Sequence, residues 1–204
     1  MPRRVAVFID YQNCYRIARE LFHDHENDPA HWGNLKPMQL ANLLASKGSG
    51  PFSLVYAGVY CGIADPRRDP KTHGARQRQI EAWKSAGVKV FARPLRYPPT
   101  WAAKAGERAR EKGVDVKLAI DAVVMAVENK CDTSVIASCD TDLDPVVEAL
   151  LELQKTIGRP NSIEAVAWKD RANKLTQVQG LTYRWLGDHD YAAVRDPTDY
   201  NIGR

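Results

Sequence analysis

Two apolar runs in the chain end abruptly in acids. Val5 to Ile9 is unbroken and closes on Asp10, while Val135 and Ile136 lead through small residues to Asp140, Asp142 and Asp144 at alternate positions. Continuous β-branched runs of this length predict strands buried on both faces, as in a parallel sheet. Ser53–Cys61, Val88–Phe91 and Ser162–Trp168 predict three more strands. Between them the apolar positions change to helical spacing: Tyr15, Ala18, Leu21 and Phe22; a short helix from Pro37 through Leu44, closed by Lys47–Pro51; Ile80 and Trp83 before Gly87; Val114, Leu118, Val123, Val124 and Val127; and Val146, Leu150 and Leu153 after Pro145. Asn173–Leu186 predicts a last helix or partly helical cover. Strands alternating with helices predict an α/β fold with a mainly parallel central sheet.

Length and composition narrow the organisation. With 204 residues and 44% hydrophobic content the chain suits one domain, expected over residues 1–186, followed by a loosely ordered polar tail at 187–204. No apolar run approaches the roughly 18 residues of a membrane span, and the start meets an acid too early for a signal sequence, so a cytoplasmic protein without membrane contact is expected. Cys14, Cys61, Cys131 and Cys139 form no CxxC pair and read as reduced thiols. His23, His25 and His31 fall in a hydrophilic loop and read as solvated rather than metal-bound.

Charge is unevenly divided. Residues 67–117 hold 14 of the 29 Lys and Arg and 5 of the 25 acids, a net of +9, which leaves −5 for the rest. A basic segment beside an acidic crevice suits a polyanion drawn toward a cation, although a solvated surface helix and loop would have the same composition. Within it Arg93, Arg96, Lys104 and Arg108 are interleaved with Tyr97 and Trp101, a mixture that suits backbone neutralisation and base stacking along a single strand. Trp101 is equally at home folded onto the core from a lid loop.

In an open parallel sheet, ligands bind beyond the carboxyl ends of the strands. Three carboxylates at one strand tip repel unless a hard cation such as Mg²⁺ or Mn²⁺ shares them; the competing reading makes Asp142 or Asp144 a helix cap. Asp115 and Asp121 lie six positions apart, roughly 120° around a helix, so both cannot face one ion equally. Asp115, in the first turn, is the better direct ligand, with Asp121 either a supporting group or a deeper ligand. Asp10, Asp115, Asp121, Asp140 and Asp142 come from three segments that such a sheet brings to one crevice. A set of this kind serves phosphodiester hydrolysis, in which a metal makes hydroxide available near neutral pH and stabilises the crowded oxygens.

These residues resemble a family. VFIDYQN at residues 7–13, KGVDVKLAIDAVVMA at 112–126 and VIASCDTDLDPVV at 135–147 are similar, in order and spacing, to the three motifs of NYN domains, the PIN-like nuclease group that includes bacterial LabA-like proteins. The resemblance spans roughly residues 4–168. It implies a three-layer α/β/α PIN-like fold and metal-dependent RNA cleavage by an endoribonuclease, with metal ligands at Asp10, Asp115, Asp121 and Asp140, Asn13 beside the first, and Asp142 as a further acid. Tyr11 and Cys139 stand where the family usually has glycine, which puts pocket shape and substrate choice in question, and Leu143 replaces a customary aromatic.

Three other readings compete. An EF-hand beginning at Asp140 fails, because Pro145 and Leu151 stand where glycine and glutamate are needed. A haloacid-dehalogenase-type phosphatase shares the strand-DxD pattern, but Asp144 replaces the expected Thr or Val. A PIN-like scaffold that binds RNA or protein without cutting keeps the fold and loses only the chemistry. The pattern leaves a homo-oligomer open.

Overall fold

In the computed structural model, which describes residues 1–23, 27–99, 101, 109–169 and 180–202, the strands β1 (Arg3–Asp10), β2 (Phe52–Ile63), β3 (Lys89–Pro94), β4 (Thr133–Ala137), β5 (Ser162–Trp168) and β6 (Leu181–Leu186) form one sheet in the order β3-β2-β1-β4-β5-β6. Every pairing is parallel. The chain therefore works outward from β1 in one direction and from β4 in the other. The crevice at the carboxyl ends of β1 and β4 is the point where an open sheet of this order holds its ligands.

Two helical layers cover the sheet, as expected of a three-layer α/β/α fold. Alternation along β1 sends Val5, Val7 and Ile9 to the face packed by α1 (Tyr11–Phe22), α2 (Pro37–Ser46), α3 (Pro70–Ser85) and α6 (Asp188–Val194). Ala6 and Phe8 go to the other face, against α4 (Val114–Val127) and α5 (Asp144–Ile157). On α4, Val114, Leu118, Ala122 and Ala126 form a buried row at fourfold spacing. Asp10 has the parity of Ala6 and Phe8, so its side chain is directed to the α4 side.

Three expectations are corrected. Leu181–Leu186 is a sixth strand rather than the end of a helix; its Thr182, Tyr183 and Trp185 favour a pleated surface, and its mixed burial disguised it. Residues 173–179 lie outside the described residues. The segment expected to be a loose tail contains α6, whose Tyr191 and Val194 are buried, with Tyr191 stacked on Phe22 at 4.3 Å. His23 is likewise not solvated: it lies 3.4 Å from Asp28 and against the Tyr191 hydroxyl, and burial lowers its pKa. His25 lies outside the described residues. All four cysteines are buried free thiols. Among the described residues no helix is long and apolar enough to cross a membrane.

Candidate active site

The site begins where β1 turns into α1. Asp10 is buried and caps the helix, accepting from the Asn13 amide at 3.1 Å. Its other oxygen accepts from the Ser138 hydroxyl at 2.8 Å, at the end of β4. Ser138 Oγ also accepts from the Asp140 amide at 3.1 Å, and Asn13 Oδ1 accepts from the Cys139 amide at 2.9 Å. These bonds join the two strand tips through both side chains and backbone. Asp140 caps a single 3-10 turn, taking the Asp142 amide at 3.1 Å. Asp115 enters from the first turn of α4, which starts at Gly113 in a left-handed conformation (φ 73°) that suits glycine.

The carboxylates repel one another. Burial pushes the Asp10 pKa up to about 7; the bonds from Asn13 and Ser138 oppose the rise, and Asp115 and Glu111 add to it. Asp115 is raised by burial and then by Asp140 and Asp142. Glu111 is raised by burial and further by Asp115, while the bond from the Gly62 amide and the charge of Arg76 oppose the rise. Among the described residues none of Asp10, Asp115, Asp140 and Glu111 has an ion-pair partner.

These four acids line a cavity of about 1100 Å³, and Arg16, Arg76, Arg96 and Arg110 share its wall. Of the residues expected from sequence, Asp10, Asn13, Asp115, Asp140 and Arg96 meet there. Asp142 is exposed outside the cavity and reaches it through its charge on Asp115. Asp121 is not among the residues that line the cavity: it pairs with Lys117 one turn back and accepts from the Tyr60 hydroxyl at 2.9 Å, about 9 Å further along α4 than Asp115. Arg93 is exposed on the edge strand, its guanidinium over Phe91, and is not part of the wall. Lys104 and Arg108 lie outside the described residues. Tyr97 lines the cavity, while Trp101 packs edge-on against it at 4.8 Å.

Sequence reading missed Glu111, Arg16 and Arg76 as site residues. Glu111 adjoins the KGVD motif, which was its only signal. Tyr11 and Cys139 do not crowd the pocket: both are buried, the Tyr11 hydroxyl bonded to Asn34, Leu35 and Gln79, the Cys139 thiol facing the Val166 carbonyl at 3.6 Å.

Among the described residues no three His, Cys, Asp or Glu side chains converge tightly enough to form a metal-binding group. In donor type and unbalanced charge, however, Asp10, Asp115 and Asp140 fit a hard divalent cation.

No curated protein matches the chain. A crystal structure of a protein of unknown function from Vibrio parahaemolyticus RIMD 2210633 is similar in fold, with a TM-score of 0.58 at 18% identity over 93% of this chain and 95% of that one. The NYN domain model matches residues 4–176. With that match spanning strands β1 to β5 and the strand-tip acids, the chain belongs to the NYN domain family of PIN-like nucleases.

Proposed function

We propose that this protein is a metal-dependent ribonuclease that cleaves single-stranded RNA internally. One observation carries the reading: four carboxylates without ion-pair partners among the described residues share a cavity with four arginines that also lack them. A site that only stabilised the fold would pair these charges with one another.

Asp10, Asp115 and Asp140 would hold the cation, Mg²⁺ or Mn²⁺, with Glu111 beside them. When bound, it supplies positive charge against the phosphate oxygens and acidifies water near neutral pH. Ser138 and Asn13 fix Asp10 and the 138–140 turn in one arrangement, so these carboxylates need little reorganisation as the substrate enters. Arg96 and Arg110, joined by a backbone bridge, present charge to the phosphate chain from the loop that leads into α4. Lys104 and Arg108 would add positive charge for RNA binding.

A second reading, RNA binding without cleavage, draws on the absence of a converged metal-binding group among the described residues. Incubating the protein with single- and double-stranded RNA and DNA in Mn²⁺, Mg²⁺ or EDTA separates the two. The nuclease reading expects Mn²⁺- or Mg²⁺-dependent RNA cleavage that Asp140→Asn abolishes while RNA binding persists. No metal-dependent cleavage by the wild type, or undiminished cleavage by Asp140→Asn, would overturn it.

A further inference from the structure

Arg76 projects from α3 into the cavity wall, held from behind by buried groups. Its guanidinium lies 5.2 Å from the centre of the Tyr11 ring and 5.8 Å from that of Trp83. Nη1 donates to Gln79 Oε1 at 2.8 Å, and Gln79 Nε2 in turn donates to the Tyr11 hydroxyl at 2.8 Å. Tyr11 Oη is itself fixed, donating to Asn34 Oδ1 and accepting from the Leu35 amide, each at 3.3 Å. Tyr11, Gln79 and Trp83 are all buried. Among the described residues no carboxylate lies within ion-pair distance of Arg76.

An arginine with this support has already surrendered much of the rotamer freedom that an exposed one loses on binding, and its remaining donors keep the planar fork that matches a phosphate. Its position also matters. α3 belongs to one helical layer and α4 to the other, so a strand laid across the carboxyl ends of β1 and β2 would run between Arg76 and Asp115.

We infer that Arg76 is a preassembled subsite for a backbone phosphate of bound single-stranded RNA, separate from Asp10, Asp115 and Asp140 and seated by Tyr11 and Gln79. The inference rests on the RNA reading above but requires only binding.

The test is a salt series of fluorescent single-stranded RNA binding in EDTA, with every substitution placed in the Asp140→Asn protein so that cleavage is excluded. Arg76→Ala should weaken binding about tenfold at low salt, the scale of one lost charge-assisted hydrogen-bonded contact. It should also flatten the log–log salt slope by about 0.7, the value for one single-strand phosphate. Arg76→Lys should keep the slope while losing part of the affinity, because charge survives and the fork does not. Tyr11→Phe, which keeps the ring and removes the anchoring hydroxyl, should do the same. An Arg76→Ala slope and affinity equal to the parent's would overturn the subsite, as would equal losses in Arg76→Ala and Arg76→Lys accompanied by matching drops in thermal midpoint, which would mark a structural role. No RNA binding by the parent would overturn the RNA reading itself, a separate outcome from failure of Arg76 alone.

Discussion

Ser138 donates its hydroxyl to the Asp10 carboxylate at 2.8 Å, so one small side chain at the end of β4 ties down the acid at the end of β1. The same hydroxyl oxygen receives the Asp140 amide. Asp10 and Asp140 are thereby held at the reversal point of the strand order by a residue that carries no charge.

Replacing Ser138 with alanine would leave one oxygen of a buried carboxylate without its donor, at a cost of roughly 1–3 kcal/mol. It would also remove a bond that holds the Asp10 pKa down, so that pKa should climb further. The expected result is a lower urea midpoint and a pH–rate profile for RNA cleavage displaced to higher pH. A profile superimposable on the wild type would show that Asp10 does not titrate in the reaction.

Asp10 also makes stability depend on pH in a definite direction. Its folded pKa is near 7, above the roughly 3.9 of an unfolded Asp, so the folded chain binds more protons between those values. The contribution is fully present below about pH 4 and is lost as pH rises through 7, at up to about 1.4 kcal/mol per pH unit. Metal-free protein should therefore lose stability across that window, and Asp10→Asn should flatten the loss. Calorimetry in EDTA over this range measures both; equal pH slopes for the two proteins would contradict it.

The fold was legible because parallel strands covered on both faces carry continuous apolar runs, as in Val5–Ile9. β6 was not, since its side chains alternate only loosely between buried and exposed, and α6 hides two core residues in a polar segment. Asp10, Asp115 and Asp140 were visible as acids at a strand tip, a helix start and a strand tip. Their partners were less so: i,i+4 spacing allows Lys117 to pair with Asp121, but no spacing rule shows that Tyr60 claims it too, or that α3 carries Arg76 to the same cavity as α4 carries Asp115. Those relations depend on how separate layers meet, which local periodicity does not encode.

The end of the sheet opposite the cavity supplies a control. Glu164, early in β5, is buried between Arg184, which donates at 2.8 and 2.5 Å, and Arg3 at 3.3 Å. Glu164→Ala would leave two guanidinium groups without their shared acid, and breaking a buried pair in this way costs about 3–5 kcal/mol. Denaturant unfolding should show that loss, while RNA cleavage per folded molecule at low temperature stays unchanged. A parallel fall in both would mean that the site is coupled to the far end of the sheet.

Asp115 and Asp121 lie on one helix and should behave oppositely. Asp115 lines the cavity, has no ion-pair partner among the described residues, and feels Asp140 and Asp142 through space. Asp115→Asn should lower the cleavage rate by about 10² or more, the scale on which one electrostatic contact at the reacting centre is felt. It should also raise the Mn²⁺ concentration needed for half-maximal rate. Asp121 is already satisfied by Lys117 and Tyr60, so Asp121→Asn should cost about 0.3–0.5 kcal/mol of stability for the exposed helical pair, together with part of the Tyr60 bond, and leave the metal requirement where it was. Metal titrations of cleavage with the two variants decide the matter. If Asp121→Asn shifts the Mn²⁺ requirement as far as Asp115→Asn does, the cation sits deeper along α4 than the cavity places it, and the ligand set drawn from the NYN resemblance stands in preference to the one drawn from the geometry.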